Sequence, residues 1–296
     1  MLRMPEREMN GAGLLDTMGV TELADVQGIQ TLHGASIEQV IQAMRDRVGE
    51  PLTLDDMADM ACLSPYYFCR IFHQIIGIPP GEFLALLRLD AAKRLLLTTS
   101  LSVTDICFEV GYSGLGSFTT RFTQLVGVSP GQLRRLVTQP VSKVASAEYT
   151  ERQELLATKS ARALLVESGQ RVGADRIDRG RGVRGRIHMS HPFTGLIFVG
   201  LFPKPIPQAR PVRCTHLFAP GDFHIDMVPD GRYYLMVAAM PLCDDASMLL
   251  LLNDSMRVGA QGPLVVRNGK WGEMVDVVLR PPRVTDPPVI SALPYL

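Results

Sequence analysis

Polar side chains at helical spacing mark one short segment, between Pro65 and Gly77. They are Tyr66, Cys69, Arg70 and His73. These positions are three, four and seven residues apart, so they share one side of a helix. The opposite side is apolar and carries Phe68, Ile71, Phe72 and Ile75. The segment therefore predicts a helix with one polar side and one apolar side.

The segment belongs to a unit that is written twice. Its landmarks Phe68, Phe72, Gly77 and Pro80 recur 50 positions later as Phe118, Phe122, Gly127 and Pro130. Each copy predicts a helix, a tight turn and a second helix, at about residues 54–76 and 103–126. That arrangement is typical of proteins that place the second helix in the major groove of DNA.

Local signals position these helices. Thr53 is suited to cap the first helix, with two aspartates in the first turn, where the helix dipole favours anions. Ser64 followed by Pro65 predicts the start of the second helix, and Gly77 predicts its end. The inner face of the first helix is expected to hold Leu54, Met57, Ala58 and Ala61.

A long helix is predicted between the two units, from Gly81 to Thr99. Its length of about 18 residues corresponds to about 27 Å, because each residue adds about 1.5 Å. Such a rod can hold two recognition helices about one turn of DNA, or about 34 Å, apart. We expect Phe83, Leu84, Leu87, Ala91 and Leu95 inside and Arg88, Lys93 and Arg94 outside.

The second unit carries a recognisable run. It reads Val103-Thr-Asp-Ile-Cys-Phe-Glu-Val-Gly-Tyr112, followed by Phe118, Phe122, Gly127, Ser129-Pro130 and Arg134. With the first unit and the connecting helix, over roughly residues 37–136, it resembles the AraC/XylS family of bacterial transcription regulators. The resemblance implies an all-α domain with two helix-turn-helix units, at residues 36–137, that binds double-stranded promoter or operator DNA.

The resemblance also implies which residues contact DNA. In the first unit they are Tyr66, Cys69, Arg70 and His73, and in the second Leu115, Gly116, Thr119, Thr120 and Arg121. Many family members have Arg or Lys where Thr120 stands, and Lys where His73 and Thr123 stand. Arg121 either substitutes from a slightly rotated helix or is a solvated surface residue. We therefore expect Tyr66 and Arg70 to read bases and the second helix to fix the register.

Charge limits how the chain can bind DNA. The whole chain has 30 Lys and Arg against 30 Asp and Glu. Residues 36–137 have one more acidic than basic side chain, whereas a DNA-binding domain usually has a basic face. This balance predicts weak sequence-independent binding, which dimerisation would offset.

Three further regions flank or follow the helical units. Residues 1–35 are expected to form a flexible leader with one short helix around 21–27, and Ser36 to cap the helix after it. Residues 138–182 are expected to link the domains and to include a helix at about 149–166, which is a dimer seam, a prop, or an amphipathic helix lying on its own core. The arginines within 171–184 could contact phosphate or form a solvated hinge.

The C-terminal half, residues 183–296, has a period of two and predicts an all-β sandwich. Seven strands are expected near 183–189, 196–202, 213–218, 222–227, 232–239, 264–267 and 274–279. The run from Gly221 to Ala239 resembles the prealbumin-like sandwich of carboxypeptidase regulatory domains. In it, Pro229-Asp-Gly231 makes a turn, and Phe223, Ile225, Tyr233 and Leu235 alternate into one core.

Several classes of protein are not favoured. His188, His191, His216 and His224 lack the Cys, His or carboxylate spacing of a metal site, so neither a metal nor a cofactor is expected. The five cysteines have no paired spacing, which is typical of reduced thiols in a cytoplasmic protein. No signal peptide or membrane-spanning run is present in this sequence, and no motif indicates an enzyme.

Two functions remain from the sequence. The first is a sequence-specific transcription regulator whose sandwich binds a small-molecule effector or a partner, or forms a homodimer, with RNA polymerase as a further candidate partner. The second is an adaptor that kept the fold and binds another protein instead of DNA. Activator and repressor are not distinguished by the residues.

Overall fold

The computed structural model describes residues 32–138, 182–208, 210–241 and 255–290. Within these ranges lie seven helices, all before residue 139, and seven strands, all after residue 181. The predicted fold class, an all-α double helix-turn-helix region and a β-sandwich, is confirmed. The chain divides into two compact units, the first holding residues 32–46 and 52–82 and the second holding 47–51 and 83–290. The predicted helices near 21–27 and 149–166 lie outside the described residues.

The first unit begins with helix α1, residues 32–46. Its apolar side is fully buried, as predicted, and consists of Ile37, Val40, Ile41 and Met44. The predicted helix start at Ser36 is wrong, because the helix already includes residues 32–35. The added turn is supported by His33, whose ring packs edge-on against Tyr67 with the ring centres 5.7 Å apart.

Helices α2 (Leu54–Met60) and α3 (Pro65–Ile76) form the first helix-turn-helix. Thr53 caps α2 as predicted, since its hydroxyl accepts from the Asp56 N–H (3.1 Å) and its own N–H donates to the Asp56 carboxylate (2.8 Å). Leu54 is 38 % exposed and not on the inner face, because it stands at the end of the buried stripe. In α3 the buried residue is Ile76 rather than Ile75.

The second unit contains most of helix α4 (Pro80–Thr98), followed by α5 (Val103–Glu109), α6 (Leu115–Val126) and α7 (Pro130–Thr138). Helix α4 is buried along its length, at Phe83, Leu84, Leu86, Leu87, Leu89, Ala92 and Leu96. Ala91 and Leu95 are only half-buried. The prediction that Lys93 lies outside is wrong, because this side chain is 3 % exposed and its ammonium donates to the Val289 carbonyl (2.7 Å).

The turns of the two helix-turn-helix units differ in length by one residue. Helix α5 begins 49 residues after α2, but α6 begins 50 residues after α3. In both turns the residue after the C-cap has a positive φ, which is 54° at Cys62 and 81° at Gly111. The first unit therefore accepts a side chain where the second has glycine.

Substitutions at these two positions should have unequal effects on stability. Gly111→Ala should lower the free energy of unfolding by about 1–3 kcal/mol, since a non-glycine residue at positive φ is strained. Its Cβ would also lie 2.9 Å from the Gly49 carbonyl oxygen and 3.1 Å from the Arg88 guanidinium carbon. Cys62→Gly should change stability by less than about 1 kcal/mol, because relief of strain offsets the added chain entropy. Chemical denaturation of both variants checks this, and equal losses would contradict it.

Two sheets build the C-terminal part. The strands are β1 (Gly182–Met189), β2 (Gly195–Phe202), β3 (Arg213–Leu217), β4 (Asp222–Ile225), β5 (Gly231–Pro241), β6 (Arg257–Val266) and β7 (Lys270–Leu279). One sheet has the order β4-β1-β7 and the other β3-β2-β5-β6. All neighbours are antiparallel except β1 and β7, which run parallel. The two sheets share one apolar core, so the predicted sandwich is correct.

The core of the sandwich confirms the predicted alternation. Phe223, Ile225, Tyr233 and Leu235 are all at most 7 % exposed and belong to the shared core. Pro229 to Gly231 turns the chain between β4 and β5. Strand β6 is longer than predicted and extends back to Arg257, because its pairing with β5 continues through a register shift opposite Tyr233 and Leu235.

A single carboxylate fastens the β4–β5 turn to the turn between β6 and β7. Asp230 accepts hydrogen bonds from the backbone N–H of Gly269 (2.7 Å) and of Asn268 (2.9 Å). Both bonds favour the ionised form and hold the pKa of Asp230 below its ordinary value. Asp230 thereby joins the turn before β5 to the turn after β6.

The stabilisation from Asp230 should depend on pH. Because the folded-state pKa is lowered, the stabilisation is complete above the ordinary pKa of 3.8 and is lost as the pH falls through the lowered value. We expect the free energy of unfolding of the wild type to fall more steeply at acid pH than that of D230N, whose amide does not titrate. Urea denaturation at a series of pH values from about 6 to about 3 measures the difference. Parallel curves for the two proteins would show that Asp230 makes no such contribution.

Candidate nucleic-acid interface

Helix α3 presents the predicted polar face to solvent. Tyr66 is 82 % exposed, Arg70 and His73 are exposed, and Cys69 is half-buried. The opposite side of α3 is anchored by four buried residues, Phe68, Ile71, Phe72 and Ile76. Gly77 ends the helix in the left-handed conformation, with φ 85°. A fixed apolar side thus holds the polar face outward.

Arg70 is oriented by a neighbour that the sequence interpretation missed. Its guanidinium carbon lies 4.9 Å from the centre of the Tyr67 ring, which is a cation–π contact. The Tyr67 hydroxyl lies 3.4 Å from His33 Nε2, so the ring is also held at its hydroxyl end. The available signal was an aromatic residue three positions before an arginine on a helix, a spacing that brings two side chains together.

Helix α6 presents smaller groups at the corresponding positions. Gly116, Thr120 and Thr123 are exposed, Leu115 is 40 % exposed, and Thr119 is half-buried. The Thr123 hydroxyl donates to the Thr119 carbonyl (2.8 Å), so this donor is engaged within the helix. A Cβ placed on Gly116 would meet nothing within 4 Å, which leaves space for a close approach to the helix surface.

Arg121 does not share the outward face of α6. It is half-buried and follows Phe118 by three residues, so it flanks the buried side of the helix. Its charge is close enough to Tyr112 to oppose the rise that burial causes in the pKa of that phenol. Arg121 therefore does not occupy the position on α6 that Arg70 occupies on α3.

Several cations of the helical region are engaged within the protein. Arg88 donates to the carbonyls of Val48 (3.1 Å) and Glu50 (2.8 Å). Arg47 pairs with Glu50 (2.7 Å), and Arg94 pairs with Asp90 (3.1 Å). The two ion pairs offset part of the positive charge, and the hydrogen bonds of Arg88 are directed to backbone carbonyls. Weak sequence-independent binding stays a prediction.

Within the ranges that the structure describes, no three His, Cys, Asp or Glu side chains could hold a metal ion together. His188 instead lies 2.8 Å from Asp276, and His224 lies 3.4 Å from Asp226. Among the described helices, none is both long and apolar enough to cross a bilayer.

Comparison with known proteins places the similarity in the helical region. The model of a helix-turn-helix domain family matches residues 57–136. The chain is 31 % identical over 98 residues to the HTH-type transcriptional activator AarP of Providencia stuartii, covering 33 % of this chain and 73 % of AarP. It is 32 % identical over 98 residues to the HTH-type transcriptional regulator ArgR of Pseudomonas aeruginosa, covering 33 % of this chain but only 30 % of ArgR.

A crystal structure gives a similar result. It is a transcriptional regulator with an AraC-type DNA-binding domain from Chromobacterium violaceum, 28 % identical, with a TM-score of 0.35. The match covers 36 % of this chain and 96 % of that one. The similarity thus covers about a third of the present chain.

Proposed function

This chain belongs to the AraC family of helix-turn-helix transcription regulators, and we propose that it is a sequence-specific regulator that inserts α3 and α6 into adjacent major grooves of promoter DNA. The observation that carries the proposal is the pair of exposed faces on α3 and α6. They occur at the same helical positions, and both are backed by two buried phenylalanines. Within this proposal the protein is cytoplasmic and is not an enzyme.

The two helices are proposed to act unequally. Tyr66 and Arg70 offer a phenol and a guanidinium, and an arginine can form two hydrogen bonds to guanine in the major groove. Gly116, Thr119 and Thr120 are uncharged. Helix α6 is therefore proposed to fix the register of the protein on the DNA through phosphate contacts and shape. Cys69, His73 and Leu115 complete the proposed contact surface, and Arg121, which flanks the buried side of α6, is proposed only as a phosphate contact at its edge. A second helix with a neutral outward face would place most base discrimination in one half of the operator.

The sandwich is proposed to modulate DNA binding. It would do so by binding an effector or a protein partner, or by forming a homodimer, and a prealbumin-like topology remains part of the proposal. The buried alternation of Phe223, Ile225, Tyr233 and Leu235 supports a self-contained core that could present such a surface. RNA polymerase is a further proposed partner.

A second candidate function is a protein-binding adaptor without DNA activity. The neutral face of α6 favours it, because Gly116, Thr119 and Thr120 make no ionic contact with phosphate. So does the engagement of Arg88 with backbone carbonyls. The adaptor and the regulator differ in whether the intact protein protects any DNA.

Genomic footprinting of the intact protein tests both candidates. We expect discrete protected sites of two half-sites in adjacent turns, with protection altered when cell extract is added as a source of effector. Absence of any protected site under both conditions would favour the adaptor. If DNA is protected but the protection does not change with extract, the protein is a regulator and the proposed effector binding is contradicted under those conditions.

A further inference from the structure

We propose that residues 281–290 form a strap that holds helix α4 against the sandwich, and that release of this strap changes DNA binding. The second half of the proposal rests on the proposed function. The strap is defined as the segment that follows β7, from Pro281 to Ile290. It joins a buried lysine of the helical region to an apolar cluster on the sandwich, and both belong to the second compact unit.

The strap is anchored where it leaves the sandwich. The backbone of Arg280 pairs with Val258 of β6 through two hydrogen bonds of 2.8 and 3.1 Å. The Arg280 guanidinium makes two parallel hydrogen bonds to the Asp286 carboxylate, at 2.7 and 2.8 Å. Asp286 also accepts from the Arg283 N–H (2.7 Å), which closes a turn. A bidentate arginine pair of this kind fixes geometry as well as adding energy.

The end of the strap is inserted between the two parts. Ile290 is fully buried, and the Val289 side chain packs on a cluster of four buried sandwich residues, Leu196, Ala238, Met240 and Met256. The carbonyl of the same Val289 accepts the hydrogen bond from Lys93 Nζ at 2.7 Å. One residue thus contacts the sandwich with its side chain and α4 with its backbone.

The burial of Lys93 opposes closure of the strap. Its side chain is 3 % exposed, and a buried ammonium loses the hydration that it has in water. Its ion pair with Asp90 is long, at 3.5 Å, and Asp90 is shared with Arg94. Burial accordingly lowers the pKa of Lys93 in spite of Asp90. Apolar burial of Val289 and Ile290 favours the closed strap, whereas rehydration of Lys93 favours the open one.

Helix α4 is the element through which such a strap could act on DNA binding. It lies between the two helix-turn-helix units in the sequence, and it carries Lys93 near its C-terminal end. A strap that fixes this end of α4 restrains the helix that leads into α5 and α6. An effector on the sandwich that moved the strap would alter that restraint, which is coupling through a defined two-state contact.

Acylation of lysines in the full-length chain tests the closed strap directly. The chain has five lysines, and Lys204 and Lys270 are exposed on the sandwich as internal controls. With an N-hydroxysuccinimide ester and mass spectrometry, Lys93 should react at least about tenfold more slowly than either control, since it reacts only after local opening. Equal rates for Lys93 and the controls in the intact protein would overturn the strap.

Variants of the strap then test its release. A chain that ends at Asp286 keeps the Arg280–Asp286 anchor and loses Val289, and its Lys93 should react within about threefold of the controls because opening is no longer required. V289D, which places a carboxylate against the apolar cluster, is the full-length alternative if the truncated chain does not fold. V284A alters a side chain that is 39 % exposed and should leave Lys93 protected. Continued protection of Lys93 in folded V289D would overturn the proposal.

The same variants separate the strap from the proposed function. Operator affinity of the truncated chain or of V289D should differ from wild type by at least about fivefold, a typical coupling free energy of about 1 kcal/mol. The sign tells whether the closed strap favours or opposes DNA binding. Unchanged affinity with released Lys93 would overturn the coupling alone. A wild-type protein that binds no DNA would overturn the proposed function, while the lysine rates would still decide whether the strap exists.

Discussion

Arg70→Ala should weaken operator binding by about 10- to 100-fold, since an arginine bidentate to guanine contributes about 1–3 kcal/mol of discrimination. Arg70 is exposed on α3, and the Tyr67 ring, 4.9 Å away, holds its guanidinium in a defined direction. A preoriented arginine loses less rotamer freedom on binding than a free one. The loss should be larger at the preferred sequence than on random DNA, because a phosphate contact alone affects both equally.

Matched variants make that result interpretable. R70K keeps the charge but not the planar fork, so it should retain sequence-independent affinity and lose preference for the operator. R213A removes the same charge from β3, where Arg213 donates to the Met227 carbonyl, and should leave operator affinity unchanged. Fluorescence anisotropy at several salt concentrations measures both affinity and its salt slope. If R70A bound the operator as tightly as R213A, α3 would not read DNA through this residue.

Phe118→Ala should lower the free energy of unfolding by about 3–5 kcal/mol, as expected when a large buried aromatic side chain is removed. Phe118 is fully buried, and its ring centre lies 5.2 Å from that of Tyr112 and 5.7 Å from that of Phe122. These contacts join α6 to the turn that precedes it. We expect the second helix-turn-helix to lose its order first and operator affinity to fall with it.

Phe108→Ala is the matched control, because the same atoms are removed from a side chain that is 56 % exposed on α5. It should cost less than about 1 kcal/mol, as substitutions on the surface usually do. Urea denaturation followed by circular dichroism compares the two variants with the wild type. Similar losses for F108A and F118A would contradict the burial that distinguishes the two phenylalanines.

The helical units were predictable because their signals are local. The caps at Thr53 and Gly77, the proline starts and the paired phenylalanines each act within a few residues, and the structure has helices where these signals place them. The seven strands followed from alternation and turn residues in the same way. Their interruption at Gly262 and Pro263 hid the first half of β6, because pairing with β5 continues across it.

The features that were missed depend on distant parts of the chain. The pattern of its own helix predicts an exposed Lys93, whereas its hydrogen bond to a carbonyl 196 residues away is a contact that no local pattern indicates. Tyr67 was not singled out, because its role needs both Arg70 above the ring and His33 at its hydroxyl. The outward residues of α3 and α6 were readable from periodicity, but their contacts with DNA stay a prediction.

The parallel pairing of the first and last strands has a mechanical consequence. β1 begins beside the first residue of β7, with Gly182 opposite Lys270, and both strands end together, with Met189 opposite Leu279. A tension applied between residues 182 and 279 would therefore pull the two strands in opposite directions along their length. The load would fall on the whole ladder of hydrogen bonds in shear rather than on one bond at a time. The sandwich should thus resist stretching from its ends and transmit force between its two flanking segments without opening.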